Sequence, residues 1–272
     1  MNSTRTLNIS AENFRLLHLG YSNADPSKFP THIHDHYELL YFVSGDVSYV
    51  VEGKSYKLKP GDLVFTRPSV FHRIIPHSDA YYERIDILFD KTLIPLSIKN
   101  KIPKVDVFRF PEGSRVADLL EKIKYYSNFF EGEDLIRIST HLIEEIFYNL
   151  AMEEEKTNLE SNANRLIKKA VDYIYYHLTE IKNLTELCDA LYITKSHLHH
   201  LFMSEIGVSP KQYIISKRLL LAKKKIRKGE KPTEAAISSG FSDYATFFRN
   251  FKKQFGYPPS SKNIQSNTEE LS

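Results

Sequence analysis

The chain has 272 residues, 42% hydrophobic and 26% charged, with a formal net charge of +3, which allows two modest domains that each bury a core. No apolar run approaches the roughly 20 residues needed to span a bilayer, and the opening MNSTRTLNISAENF lacks the pattern of a signal peptide. The lone Cys188 cannot form an internal disulfide and reads as a small buried hydrophobe, so the expected compartment is the reducing cytoplasm, with no membrane partner. The small net charge hides an asymmetry. From Ser161 onward there are 18 Lys+Arg against 10 Asp+Glu, whereas residues 1–160 hold 19 against 24. A basic half joined to an acidic one points to a polyanion partner for the C-terminal part.

Residues from about 15 to 90 read as strands. In extended form, His32–Glu38 (HIHDHYE) places His32, His34, His36 and Glu38 on one face. In Phe42–Val51, Val47, Tyr49 and Val51 alternate, and Glu52-Gly53-Lys54 turns into Ser55–Leu58. Pro60-Gly61-Asp62 is a second turn before Leu63–Phe65, with Phe71–Ile75 and Tyr81–Phe89 following. Short strands at this turn spacing predict a small barrel or sandwich. Near Pro111 the period changes. Val116, Leu119, Leu120, Ile123 and Tyr126, then Ile138, Leu142, Ile143, Ile146 and Leu150, flank Gly132 and predict an antiparallel helix pair. Their apolar stripes are buried within the subunit or against a second copy. The polar stretch Met152–Asn164 reads as a linker. The expected class is therefore α+β: a barrel and helix pair over 1–152, a linker at 153–164, and an all-α domain over 165–265.

Beyond the linker, Thr185 is placed to cap a short helix holding Leu187, Cys188 and Leu191. Thr194 is placed to cap a second, with Leu198, Leu201, Phe202 and Ile206 on one face and Ser196, His199, His200 and Met203 on the other. This is a helix-turn-helix pattern, or else a plain helical hairpin with a solvated face. Ser209-Pro210-Lys211-Gln212 then opens a longer helix that Gly229 can end. At about 18 residues it is roughly 27 Å long, and its tail of Lys223, Lys224, Lys225, Arg227 and Lys228 reads as a solvated basic face. The pattern recurs. Pro232 starts a helix whose inner face is Ala235, Ala236 and Ile237, Gly240-Phe241 turns, and Ser242 caps a helix from about Asp243 to Gln254. Phe247, Phe251 and Phe255 form its buried side, opposite Ala245, Arg249 and Lys252, with Thr246 and Lys253 beside them. Arg249 can donate two hydrogen bonds to a guanine, while Lys252, Lys253 and Thr246 suit phosphates.

Leu184–Arg218 (LTELCDALYITKSHLHHLFMSEIGVSPKQYIISKR) and Gly240–Pro259 (GFSDYATFFRNFKKQFGYPP) resemble the two signatures of the AraC/XylS family of bacterial transcription regulators. The resemblance implies two recognition helices in successive major grooves. Lys195, Ser196, His199 and His200 would read from the first, and Tyr244, Ala245, Thr246 and Arg249 from the second. It also implies promoter DNA and RNA polymerase as partners, an activating role and a homodimer. One departure is the first recognition helix, which carries His199, His200, Met203 and Ser204 where the family often has arginine and lysine. Neutral imidazoles attract phosphate weakly.

His32, His34, Glu38 and Gly45, spaced His-x-His-x3-Glu-x6-Gly, resemble the first cupin motif, and Pro60-Gly61-Asp62 followed by His72 resembles the second. Pro26 stands where a glycine is usual before the first. This resemblance implies a cupin-like sensor barrel followed by dimerisation helices. Three readings stand side by side. His32, His34, His36, Glu38 and His72 contact a small polar effector, for which the family suggests a sugar. Alternatively His32, His34, Glu38 and His72 hold a divalent metal, the sole cofactor the sequence raises. In the third reading they are polar residues at a barrel rim. A metal-dependent cupin enzyme fused to a helical domain would carry the same four ligands, but no phosphate-binding glycine loop or nucleophile elbow accompanies them.

Overall fold

The computed structural model describes residues 3–22, 24–110, 114–152 and 162–264. Its N-terminal part holds β1 (Ser3–Ser10), β2 (Phe14–Tyr21), β3 (Tyr37–Ser44), β4 (Val47–Val51), β5 (Lys54–Lys57), β6 (Leu63–Thr66), β7 (His72–Pro76), β8 (Tyr82–Phe89) and β9 (Val107–Phe108). A further strand, β10 (Asn162–Ala163), follows the helix pair α1 (Arg115–Tyr126) and α2 (Gly132–Met152). All pairings are antiparallel, in two sheets ordered β1-β2-β8-β3-β6-β9 and β10-β5-β4-β7.

The central strands β3 and β8 are apolar on both faces. Leu40, Phe42 and Tyr82 enter the core between the sheets, with Tyr49, Val51, Tyr56, Val64 and Ile74. Leu39, Ile85, Ile87 and Phe89 point the other way, into a second core completed by Val116, Leu119, Leu120, Ile123, Ile143, Ile146, Phe147 and Leu150 of α1 and α2. The helical stripes are therefore buried within the subunit. Tyr125, Phe129, Phe130 and Tyr148 remain exposed on the outer side of the pair.

Four strand expectations change. The strands begin at Ser3, because β1 pairs along the edge of β2. The run Phe42–Val51 is two strands, since Gly45 at φ +127 reverses the chain where a side chain would meet the Tyr82 backbone. The alternation expected of β4 also fails: all five of its residues are buried, as in a strand covered on both faces. Of His32–Glu38, only Tyr37 and Glu38 lie in a strand. Residues 31–36 form a strap held to the barrel by a bridge from His32 to His72 and by the Ser69 N–H donating to the His34 carbonyl at 2.7 Å. Pro111 and residues 153–161 of the expected linker lie outside the described residues. Within the linker, Asn162 and Ala163 pair with Ser55 and Lys54 of β5, and Asn164 caps α3.

The C-terminal part holds α3 (Arg165–His177), α4 (Leu184–Leu191), α5 (Lys195–Glu205), α6 (Pro210–Arg227), α7 (Pro232–Ser238) and α8 (Tyr244–Phe255). Thr194 and Ser209 cap α5 and α6 as expected, and Gly229 follows α6 at φ +96. Two caps shift by a residue or two. Asn183 caps α4, its side chain accepting from the N–H groups of Thr185 and Glu186, so Thr185 sits inside the first turn. Asp243, rather than Ser242, caps α8. Both short polar side chains can satisfy an otherwise orphaned donor, and the one in extended backbone takes the role. Ile237, expected on the inner face of α7, is 71% exposed, because Ala235 and Ala236 already fill the contact with α6. Among the described residues no helix is long and apolar enough to cross a membrane.

Candidate nucleic-acid interface and effector site

α4 and α5 are joined by Tyr192 in the left-handed region (φ 55), followed by Ile193 and the cap Thr194. This tight turn lets Leu198, Leu201 and Phe202 face inward onto Leu187, Cys188 and the α3 residues Ile167, Ala170 and Ile174. Lys195, Ser196, His199 and His200 are left exposed on one side of α5. Cys188 is buried, and burial pushes its thiol up. The second unit repeats the plan with Phe247 and Phe251 fully buried against Leu219, Ala222, Ala235 and Ala236. Tyr244, Ala245, Arg249, Lys252 and Lys253 are exposed, and Thr246 is half-buried, donating its backbone N–H to Asp243 and accepting from Arg249. At Gly240 an added Cβ would lie 2.8–2.9 Å from Arg218 and the Thr179 backbone, so only glycine permits this approach of the units. Arg218 then donates to the carbonyls of Leu178 and Ile181, fastening α6 to the start of the first unit. The sequence reading passed over this clamp. Eighteen residues of α6 separate the two units, about 27 Å, against the roughly 34 Å of one DNA turn.

At the open end of the N-terminal barrel, His32, His34, Glu38 and His72 converge, their ligand atoms all within 4.8 Å of one another. His34 Nε2 lies 3.0 Å and His72 Nε2 3.2 Å from the same oxygen of Glu38. Each of the three imidazoles has its Nδ1 at a backbone carbonyl: His32 at Pro30, His34 at His36, His72 at Val70. A carbonyl only accepts, so each Nδ1 carries the hydrogen, and a neutral ring then turns the bare lone pair of Nε2 inward. Three lone pairs and a carboxylate facing one point need protons or a cation between them. Backbone-anchored imidazoles of fixed tautomer are how proteins present metal ligands. The buried Nε2 of His72, without a well-aligned hydrogen bond, fits the same need.

The electrostatics follow from this crowding. Burial works to raise Glu38, but His72 and His34 outweigh it and hold the carboxyl well below its ordinary value. Burial opposes charge on His34, yet Glu38 raises it. His32, at the rim, is pushed down to about 4 by the protein around its ring and by His72. His36 stands apart: it is buried with Nε2 3.5 Å from Asp35, and it does not line the cavity. That cavity, about 160 Å³, continues inward past Tyr49 to Arg84 and Asp86. Arg84 donates to Asp86 at 2.6 Å and is held among the rings of Tyr21, Phe29 and Tyr82. Burial raises Asp86 to about 6 against the pull of Arg84. The sequence reading missed this pair, although two charges spaced by two in the apolar run YERIDILF signal a charged face turned inward.

The two sites are joined. α6 lies against the barrel, and Lys223, expected to be solvated, is fully buried with its ammonium 3.4 Å from Asp35 and over the Phe255 ring. Arg227 also pairs with Asp35. Glu52 accepts from Tyr213 and Lys217, and Phe71 stacks on Tyr213 at 4.9 Å. A second cavity of about 510 Å³ opens between the barrel and the helices, lined by His32, Phe71, Lys211, Gln212, Ile215 and Lys253 among others. His32 borders both cavities.

Residues 18–151 match the family model for an AraC-like ligand binding domain, and residues 187–262 match one for a helix-turn-helix domain. The chain is 25% identical over 224 residues to the uncharacterized HTH-type transcriptional regulator YbfI of Bacillus subtilis, covering 79% of this chain and 80% of that one. It is 24% identical over 243 residues to the HTH-type transcriptional activator RhaS of Escherichia fergusonii, covering 85% and 86%. Among solved structures, ToxT of Vibrio cholerae with a bound unsaturated fatty acid is similar over 96% of this chain and 98% of its own, at 17% identity and a TM-score of 0.40.

Proposed function

The chain belongs to the AraC family of helix-turn-helix transcription regulators, and from that premise we propose that it activates transcription as a homodimer when a small ligand occupies its barrel mouth. The observation that carries the DNA-reading part is the pair of capped helices, α5 and α8, with exposed polar faces at opposite ends of one 18-residue helix. Arg249 reads a base, and Lys252, Lys253, Tyr244 and Thr246 hold the backbone around it. Lys195, Ser196, His199 and His200 contact the neighbouring groove with less charge, so the second unit supplies most of the salt-dependent affinity. The exposed Tyr125, Phe129, Phe130 and Tyr148 on α1 and α2 are the proposed dimer surface. RNA polymerase is the partner an activator requires. The domain division at 153–164 and a cytoplasmic location belong to the same reading.

The effector is small and polar, and it meets His32, His34, Glu38 and His72. The barrel cavity of about 160 Å³ falls below the roughly 300–1,000 Å³ of pockets that enclose a drug-sized molecule. An ion or a few polar atoms fit there, and anything of sugar size would extend past His32 into the larger cavity. The inward lone pairs favour a divalent cation as part of the occupant. A metal-dependent enzyme would use the same four residues and differs in predicting turnover of a substrate. Nuclease footprinting on DNA upstream of the gene tests the regulator reading. The expected result is protection over two successive major grooves per subunit, falling steeply with salt. Absence of salt-sensitive protection would reject it.

A further inference from the structure

The strap at 31–35 has two faces. Its even positions, His32 and His34, turn to the barrel mouth. Its odd positions all grip the C-terminal helices. Thr31 donates to the Ile206 carbonyl at 2.7 Å, Ile33 packs on the core of the first helix-turn-helix unit, and Asp35 pairs with Lys223 and Arg227 of α6. The bridged neighbour repeats the arrangement. His72 faces the mouth, while Phe71 is built into the core of the first unit and Arg73 donates to the Ser204 carbonyl at 3.1 Å. At Gly207 an added Cβ would lie 2.3 Å from Thr31 and 2.7 Å from Arg73, so the end of α5 is fitted against both segments.

We propose that residues 31–35 and 71–73 form a two-faced relay, in which a divalent transition-metal ion on His32, His34, Glu38 and His72 changes the grip of Thr31, Ile33, Phe71 and Arg73 on the first helix-turn-helix unit and of Asp35 on α6. This rests on the proposed role of the mouth as the effector site and adds the ion and the route. Ligand atoms about 2.0–2.2 Å from one tetrahedral ion lie roughly 3.4 Å from one another, so an ion draws the strap and its neighbour together by about 1 Å at the widest pair, now up to 4.8 Å apart. Each ring is tied through Nδ1 to a carbonyl of its own segment, at Pro30, His36 or Val70, so a pull on the ring is passed to the backbone that also carries the opposite face. The ion thus binds two arrangements of the interface with different affinity, which is the requirement for coupling.

The test uses the full chain with Co²⁺ alone, whose d–d absorption reports nitrogen and oxygen ligation, combined with hydrogen exchange of the segments 201–208 and 213–227. In the unaltered protein, one Co²⁺ per chain binds with a visible spectrum and changes exchange in those segments by about five-fold or more. His72→Ala loses the spectrum and the exchange change together. A Thr31→Val, Ile33→Ala variant, which leaves the ligands and the Asp35 pairs in place, keeps the spectrum and loses most of the exchange change. Absence of Co²⁺ binding to the unaltered protein would overturn the metal and the relay with it. A bound ion with unchanged exchange, or an undiminished change in the Thr31→Val, Ile33→Ala variant, would overturn the relay while leaving the mouth as a binding site.

Discussion

The two helix-turn-helix units share a plan and differ in where their cores end. The second has an apolar core of its own, with Phe247 and Phe251 sealed between α6 and α7 and, among the described residues, no apolar barrel residue in it; the barrel reaches it through Asp35 on Lys223 and Arg227. The core of the first includes Phe71 from the barrel, with Ile33 packed against it. The reading faces differ in the same sense, Arg249, Lys252 and Lys253 on one unit against His199 and His200 on the other. A self-contained unit with strong charges suits steady DNA contact. A unit whose interior is partly supplied by the sensor is the one whose packing a ligand can alter.

The largest expected effect tests whether the second core is independent. Phe247→Ala should cost about 3–5 kcal/mol and remove hydrogen-exchange protection from α7 and α8, leaving α4 and α5 protected. Loss in both units would mean they share one core. Phe71→Ala, a change within the barrel, should cost about 3 kcal/mol and be felt in α4 and α5. If protection fell only in β-strands, the first unit would be as self-contained as the second. On DNA, Arg249→Ala should weaken binding by about 1–3 kcal/mol and relax preference at one base pair, whereas Lys253→Ala should weaken all sequences alike and lower the salt slope by about one. Competition footprinting on single-base variants separates the two. Asn183→Ala should loosen α4 by about 1 kcal/mol, read by the exchange rates of its first turn.

The smallest contrast is one of pH. Asp243 is held below its ordinary value of 3.8, chiefly by the backbone N–H of Thr246. A depressed carboxyl contributes stability above its unfolded pKa of about 3.9, and this is lost as pH falls through the folded value. The cap of α8 therefore weakens below about pH 4, while Asn183 has no charge to lose. Exchange at the start of α8 that rose no faster than at α4 over that range would remove the distinction.

Much of this organisation was legible in the sequence, because it is carried by local rules. The prolines at 210 and 232, the caps Thr194 and Ser209, and the four-residue period of phenylalanine each fix a helix within one turn of chain. The spacing of His32, His34, Glu38 and His72 marked the mouth. What stayed hidden was long-range. Lys223 sits in a run of basic residues and looks solvated, and its burial follows from Asp35, far away in the chain, and from the Phe255 ring. Glu52, in a turn, and Phe71, just before β7, likewise sit in local patterns that say nothing about Tyr213. His36 had the right parity for the site, but strand geometry begins only at Tyr37, after it, and parity alone could not show that.

The short strand Asn162–Ala163, pinned to β5 just before α3 begins, bears on what happens if α6 leaves the barrel. The helical domain then stays on a leash anchored beside its own docking surface. Over so short a tether re-docking is intramolecular, at an effective concentration of order millimolar. A weak interface can then keep the domain docked most of the time, and a modest ligand effect can shift the balance. Lengthening the chain between Ala163 and Arg165 would dilute that local concentration without touching any contact residue.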